Sequence, residues 1–275
     1  MYKDSIKILE IKSNIARQKI IEVTTEVEGG HLAGSLSCID ILIAIYFKVL
    51  KHKPKNPNWE NRDRFILSKG HGAPALYTVL AMNKYFPEEE LFTLRKINSR
   101  LQGHPDCKKL PGIEISTGSL GQGLSVAVGM ALGYKYDGKN SQIYCLLGDG
   151  ECDEGQVWEA AMFASSYNLK NITIIIDRNG YQIDGRTEDV MKLEPLDLKW
   201  KSFGWEVEEI DGHDMRKIVD VLDKSRGRRI VIIAHTIKGK GVSFLENNNA
   251  YHAKPCSRKD CKRAIVELSK KYELI

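Results

Sequence analysis

The chain holds 275 residues, 42% of them hydrophobic, with 41 Lys and Arg against 36 Asp and Glu and a formal net charge of +5. That is enough apolar material for a sizeable core, and it excludes a disordered chain, a collagen repeat and a small disulfide scaffold. No run approaches the roughly 20 uncharged apolar residues of a membrane span, because Ile41 to Phe47 lies between Asp40 and Lys48, and the charged start lacks the apolar centre of a signal peptide.

In chain order, apolar residues at helical spacing (Ile8, Ile11, Ile15, Ile20, then Ile39, Leu42, Ile43, Tyr46 and Phe47) predict two helices separated by the turn at Gly29-Gly30. Residues 51 to 61 read as an exposed loop, Phe65-Ile66-Leu67 as a short strand, and Gly123 to Tyr134 as a small-residue helix. Then come a strand at Ile143 to Leu147, a helix at Gln156 to Tyr167, a strand at Ile172 to Ile176, a helix at Met215 to Lys224 and a strand at Arg229 to Ala234. Continuous β-branched runs alternating with helices predict an α/β fold, a parallel sheet with helices on both faces, as one domain over residues 1–275. In such a sheet ligands sit beyond the carboxyl ends of the strands.

The six cysteines form no C-x-x-C pair, which fits free thiols and a cytoplasmic protein rather than disulfides; Cys256, Cys261 and His252 match no common zinc spacing. The basic clusters Lys51 to Lys55 and Arg226 to Arg229 read as solvated faces, so neither a nucleic-acid nor a membrane partner is expected.

Two strand ends carry chemistry. Gly148-Asp149-Gly150 follows the strand at 143–147, and Asp177-Arg178-Asn179-Gly180-Tyr181 follows the strand at 172–176. A carboxylate at Asp149 and an amide oxygen at Asn179 are hard oxygen donors suited to Mg²⁺ or Ca²⁺ held together with phosphate oxygens. Gly150 allows close approach of an anion, and the helix start beyond it offers free N–H groups. Each motif alone is as well explained as an ordinary turn.

The spacing of the two resembles the cofactor motif of thiamine diphosphate enzymes. Gly30-His31, Lys69-Gly-His71-Gly, Gly103-His104-Pro105, Thr117-Gly118-Ser-Leu120-Gly-Gln-Gly123, Asp211-Gly-His-Asp214 and Thr236-Ile-Lys-Gly-Lys-Gly241 follow in the order seen in transketolases. The resemblance covers nearly the whole chain, and it implies the thiamine diphosphate-binding fold of the N-terminal subunit of a split transketolase. It further implies Asp149, Asn179 and the Tyr181 backbone carbonyl as ligands of a divalent ion. Gly150 and His71 would touch the diphosphate, and Gly118 and Leu120 the cofactor rings. His31, His104 and His252 would face substrate oxygens, while Glu154 and Glu159 would link paired active sites. Two departures stand out: Gly118-Ser-Leu120 replaces the more usual Gly-Pro-Leu, and Leu32-Ala-Gly-Ser follows His31 where many members have Pro-Gly-Ala-Pro.

The residues themselves agree with this chemistry. Ketol transfer must take a proton from one hydroxyl and return one to another oxygen, and imidazole, with an unperturbed pKa of about 6.5, serves both directions near neutral pH. Glu154 and Glu159, near a helix start, equally suit stabilisation of the helix dipole. Lys238 and Lys240 between glycines suit either a phosphate contact or a solvent-exposed turn. His213 reads as a cap or structural hydrogen bond, His52 as a surface ring and His235 as a strand residue.

The resemblance also implies a partner: a C-terminal subunit with the pyrimidine-binding domain, in an α2β2 assembly acting on sugar phosphates. Competing readings are the α-subunit of a 2-oxoacid dehydrogenase, a deoxyxylulose phosphate synthase, a non-catalytic regulatory subunit, and a Mg²⁺ phosphatase using Asp149.

Overall fold

The apolar runs do become parallel strands. The computed structural model, which describes residues 5–273, contains β1 (Arg64–Leu67), β2 (Ile143–Gly148), β3 (Ile172–Arg178), a two-residue hairpin of β4 (Tyr181–Gln182) and β5 (Gly185–Arg186), β6 (Glu206–Asp211) and β7 (Ile230–His235). The main sheet has the order β1-β2-β3-β7-β6 with every pairing parallel.

Alternation along the buried strands separates two cores. Tyr144 and Leu146 of β2, with Ile230 and Ile232 of β7, join one cluster with α1 (Ile6–Glu26), α2 (Leu32–Ala44), α3 (Ala73–Met82), α8 (Met215–Ser225) and α9 (Arg258–Glu273). Ile143, Cys145 and Leu147, with Val231 and Ile233, join the other with α4 (Gln122–Tyr136), α5 (Gly155–Ser166) and α7 (Leu196–Ser202). The chain leaves β3 toward α7 on one face and leaves β7 toward α9 on the opposite face. Connections that part in this way open a crevice between the strand ends, the expected place for a ligand.

Several elements differ from the sequence expectation. The second helix starts at Leu32 with His31 at its N-cap, and a π turn over Ile45–Val49 extends it. On α1 the buried face is Leu9, Ser13, Ala16 and Ile20 with the polar Asn14 and Arg17, whereas Ile8 and Ile15 are exposed. The polar residues are buried because they are bonded: the Asn14 amide donates to the Leu268 carbonyl at 3.0 Å, and Arg17 forks onto Asp40. The stretch Leu32–Val49 is apolar enough by length and composition to cross a membrane, yet 83% of it is buried inside the protein. Asp40 in its middle, paired with Arg17, marks it as a core helix.

Candidate active site

Beyond the ends of β2 and β3 lies a cavity of about 410 Å³. Its lining includes His31, His71, His104, Gly118, Leu120, Asp149, Gly150, Glu154, Asn179, Tyr181 and His252, so all but one of the sequence-predicted site residues meet there. The exception is Glu159, which stands exposed on α5 outside the lining. Chain positions as distant as His31 and His252 converge because each sits next to a strand end or on a loop above one.

Asp149, just past β2, is buried. Its Oδ1 accepts the Gly150 amide at 2.8 Å, and its Oδ2 accepts the Gly180 amide at 2.6 Å and the Arg178 guanidinium at 3.1 Å. An ionised carboxylate has about four acceptor positions, so one remains for an incoming cation. Burial, reinforced by the Asp177 charge, pushes the Asp149 carboxyl above its ordinary value, so a cation beside it would be favourable. On the neighbouring strand end, Asn179 donates its amide to Asp177 at 3.2 Å, while its Oδ1 accepts the Tyr181 amide at 3.1 Å and keeps a second lone pair. Among the described residues no group of three or more His, Cys, Asp or Glu could hold a metal unaided. An ion held by Asp149 and Asn179 would therefore need further oxygens from a bound anion. Gly150 lines the cavity and tolerates no side chain, since a Cβ there would meet Gln182 Oε1 at 2.8 Å.

Behind these two residues, Asp177 is wholly buried and takes four donors. They are the Ser37 hydroxyl at 2.6 Å, the Asn179 amide, the Lys69 ammonium and the Thr236 hydroxyl. Lys69, also buried, donates to the Gly34 carbonyl at 3.0 Å as well. Burial alone would raise the Asp177 carboxyl, but Lys69 prevails and holds it below the ordinary range. Glu151 ties the other wall: it accepts the Ser68 hydroxyl, the Gly121 amide at 2.8 Å and the Gly148 amide at 3.0 Å, joining the ends of β1 and β2 to the loop of Gly118 and Leu120. Lys69, Asp177 and Glu151 were not singled out by sequence. The signal existed only as charged residues adjoining the glycine and histidine motifs.

The histidines form a cluster. The His31 ring centroid is 5.2 Å from that of His71, 5.6 Å from that of His252 and 6.2 Å from that of His104. Burial lowers all four, to about 4 for His31 and about 3 for His252, with Lys238 adding to the effect at His252. At neutral pH the cavity therefore presents uncharged imidazoles. Lys238 Nζ lies 2.7 Å from His252 Nδ1; an ammonium only donates, so the His252 proton resides on Nε2. The buried Nδ1 of His31 has no protein partner. Proton NMR titration of the chain is expected to leave the His31 and His252 rings neutral from pH 8 down to pH 5.5; conventional titration of either near 6.5 would refute this electrostatic picture.

The remaining histidines lie elsewhere. His52 is half-buried rather than a free surface ring, bonded to the Tyr85 hydroxyl at 3.0 Å and the Tyr46 carbonyl at 2.8 Å. His235 ends β7 and pairs with Glu209. His213 makes a structural hydrogen bond, while the cap of α8 is Asp214.

Comparison with known proteins agrees with this geometry. Residues 10–272 match the family described as transketolase, thiamine diphosphate binding domain. The chain is 45% identical over 265 residues to the 6-deoxy-6-sulfo-D-fructose transketolase subunit SqwG of Clostridium sp. (strain MSTE9), covering 95% of this chain and 96% of that one. It is 40% identical over 271 residues to an apulose-4-phosphate transketolase subunit of Phocaeicola vulgatus, covering 98% and 96%. Among solved structures, the transketolase of Campylobacter jejuni superposes with a TM-score of 0.91 at 33% identity, over 97% of this chain and 43% of that one. The chain thus spans nearly all of the related subunits and under half of that transketolase. It belongs to the transketolase family, as a thiamine diphosphate binding domain.

Proposed function

We propose that this chain is the diphosphate-binding subunit of a split transketolase, moving a two-carbon ketol unit from a ketose to an aldose together with a subunit that carries the pyrimidine-binding domain. The observation that carries this reading is one cavity that holds Asp149 and Asn179 on adjacent strand ends together with four neutral imidazoles. Asp149, Asn179 and the Tyr181 carbonyl are the proposed ligands of Mg²⁺ or Ca²⁺, with diphosphate oxygens completing the shell. Gly150 and His71 would hold the diphosphate, and Gly118 and Leu120 the rings. When bound, thiamine diphosphate supplies the electron sink that such a transfer needs.

The protein's part is to hold the sugar and move protons. His31, in the cavity lining, is suited to take a proton from a substrate hydroxyl and return it to the acceptor's oxygen. His104, exposed at the cavity wall, is suited to the substrate oxygens farther out, and His252 to donating from Nε2. The relatives named for apulose 4-phosphate and a sulfonated fructose support an anionic sugar, a sugar phosphate in the first instance, as substrate.

Exposed apolar side chains support an assembly. Met162 and Phe163 of α5, Tyr167 at its C-cap and Tyr136 of α4 are exposed on one helical layer, the first two on the helix that also exposes Glu159, while Ile183 is 71% exposed beside the cavity. An α2β2 arrangement, with copies of this chain meeting through α4 and α5 and linked through Glu154 and Glu159, would cover that layer. The free cysteines suit a reducing cytoplasm.

The test is reconstitution. The purified chain, its partner subunit, Mg²⁺ and thiamine diphosphate are expected to transfer a ketol unit between sugar phosphates. No transfer by the complete mixture would overturn the function, and robust transfer by this chain alone would overturn the need for a partner. His104→Ala in that mixture is expected to lower kcat/KM by about 10²- to 10⁴-fold, as for loss of a general acid–base or orienting group. Unchanged turnover would remove His104 from the reaction.

A further inference from the structure

On the helical face behind the cavity, a second polar network ends on the active-site wall. Asp40 of α2 accepts both arms of the Arg17 fork, Nη1 at 3.0 Å to Oδ1 and Nη2 to Oδ2, and lies 2.7 Å from His213 Nδ1. Burial alone would raise the Asp40 carboxyl, but Arg17 and His213 hold it well below the ordinary range, so it stays ionised and can only accept. The His213 proton is therefore on Nδ1, and Nε2 is left as an acceptor. It takes the amide of Ile237 at 2.8 Å.

Ile237 is the residue before Lys238. The Lys238 side chain is buried, donates to Asn249 Oδ1 at 2.6 Å and to His252 Nδ1 at 2.7 Å, and stands 5.6 Å from the Tyr181 ring centroid. The same network reaches the far side of the loop, where Arg17 Nε donates to the Lys240 carbonyl at 3.1 Å. Two anchors flank the Ile237 bond: the Thr236 amide to the Arg178 carbonyl at 3.1 Å and the Gly239 amide to the Ala33 carbonyl at 3.0 Å. The turn is tight, since Gly239 has φ 78° and a Cβ there would lie 2.2 Å from the Leu245 carbonyl oxygen. The loop thus has little freedom: Gly239 and the Lys238 carbonyl, which accepts the Asn247 amide at 2.8 Å, fix the side after Lys238, and the bond from Ile237 to His213 is the side-chain bond that fixes the residue before it.

We propose that His213 is a positioning residue: fixed in one tautomer by Asp40, it holds the Ile237 amide and so sets where Lys238 meets His252 on the cavity wall. The kinetic part rests on the proposed transketolase reaction, whereas the geometric part concerns this chain alone. The consequence for the reaction is orientation rather than chemistry. A displacement of the order of 1 Å in a group that orients a reactant can cost about 10²-fold in rate.

The test pairs two substitutions. His213→Leu removes both bonds, and His213→Gln keeps one donor and one acceptor. In the reconstituted enzyme, His213→Leu is expected to lower kcat by about 10- to 100-fold with KM for the ketose donor changed no more than about twofold, and His213→Gln to recover most of the loss. In the isolated chain, NMR titration of His252 is expected to move from about 3 toward the ordinary histidine value in His213→Leu and to stay low in His213→Gln. A folded Leu variant with unchanged kcat and unchanged His252 titration overturns the proposal. Should that variant not fold, hydrogen exchange of the wild-type Ile237 amide decides: protection equal to that of the Gly239 amide supports the bond, and free exchange overturns it. If the wild-type mixture shows no ketol transfer while the His252 titration still responds to His213→Leu, the functional reading fails and the positioning role stands.

Discussion

Asp149→Ala is expected to eliminate cofactor-dependent ketol transfer, with affinity for Mg²⁺-thiamine diphosphate reduced on the order of 100-fold or more, since even partners of metal ligands cost 10- to 100-fold when removed. The argument begins with desolvation. Asp149 is a buried carboxyl pushed above its ordinary value, so an adjoining cation gains from its ionisation and loses that gain when the oxygens are deleted. The fold should tolerate the change. Arg178, released from Asp149, keeps Glu188 at 2.9 Å and Glu194 at 2.8 Å as partners, and the orphaned amide at Gly150 lines a cavity that water can enter. Calorimetric titration of cofactor into the reconstituted assembly reads the loss, with the melting temperature as the control. Chelation should reproduce the variant's behaviour in the wild type, and restored Mg²⁺ should rescue only the wild type. Wild-type affinity in a folded Asp149→Ala protein would end the metal assignment.

Lys69→Met carries the largest expected effect on stability. It strips the counter-charge from Asp177, and breaking a buried ion pair from one side costs about 3–5 kcal/mol. For a domain of this size each kcal/mol lowers Tm by about 2–4 °C, so a fall of roughly 10 °C is expected by calorimetry. The pH response has a definite sign. In the wild type the Asp177 carboxyl lies below its ordinary value, so its contribution is present above the unfolded-state pKa and lost as pH falls through the folded one. Without Lys69, burial dominates and raises that carboxyl, so the variant should regain part of its lost stability relative to wild type as the medium is acidified. Lys69→Met combined with Asp177→Asn should be more stable than Lys69→Met alone, because no bare charge remains. A drop of under about 1 kcal/mol in the single variant, the range of an exposed pair, would show that the pair is solvated rather than buried.

The parts of the fold that were readable from sequence are those in which a local pattern reports a local environment. The uninterrupted runs at β2, β3 and β7 are short, apolar and buried on both faces, as strands inside a parallel sheet are. Where environment and pattern part company, sequence is silent. α3 is buried on nearly every side and so has no polar stripe to betray a helical period. β6 is an edge strand whose Glu206, Glu208 and Glu209 face solvent, and it reads as a charged segment. Ile8 and Ile15 imitate a buried face on α1 while the buried positions go to Asn14 and Arg17, whose partners lie far along the chain.

The candidate site shows the same division. Asp149 and Asn179 were legible because glycines beside a strand end announce them, and the histidines because each stands in a short motif. The pairs Ser68–Glu151 and Lys69–Asp177 join positions 83 and 108 apart. No spacing rule reports such pairs, since only the sheet order brings β1 beside β2 and β2 beside β3. Glu159 shows what spacing leaves open: it follows the Gly148-Asp149-Gly150 motif closely in sequence, but the rise of α5 carries it out of the cavity to the exposed face, where only a neighbouring subunit could meet it.

The apolar stretch from Leu32 to Val49 bears on how the protein comes into being. As it leaves the ribosome this segment has the look of a bilayer anchor, and the sheet that will finally enclose it is not complete until β7 has been synthesised. Its first coverings, α1 and α3, are near neighbours along the chain, so a three-helix hairpin can close over it with little loop entropy while the C-terminal half is still being made. Asp40, which holds His213, and its Arg17 partner add a charge pair that hydrocarbon would disfavour in the middle of that stretch.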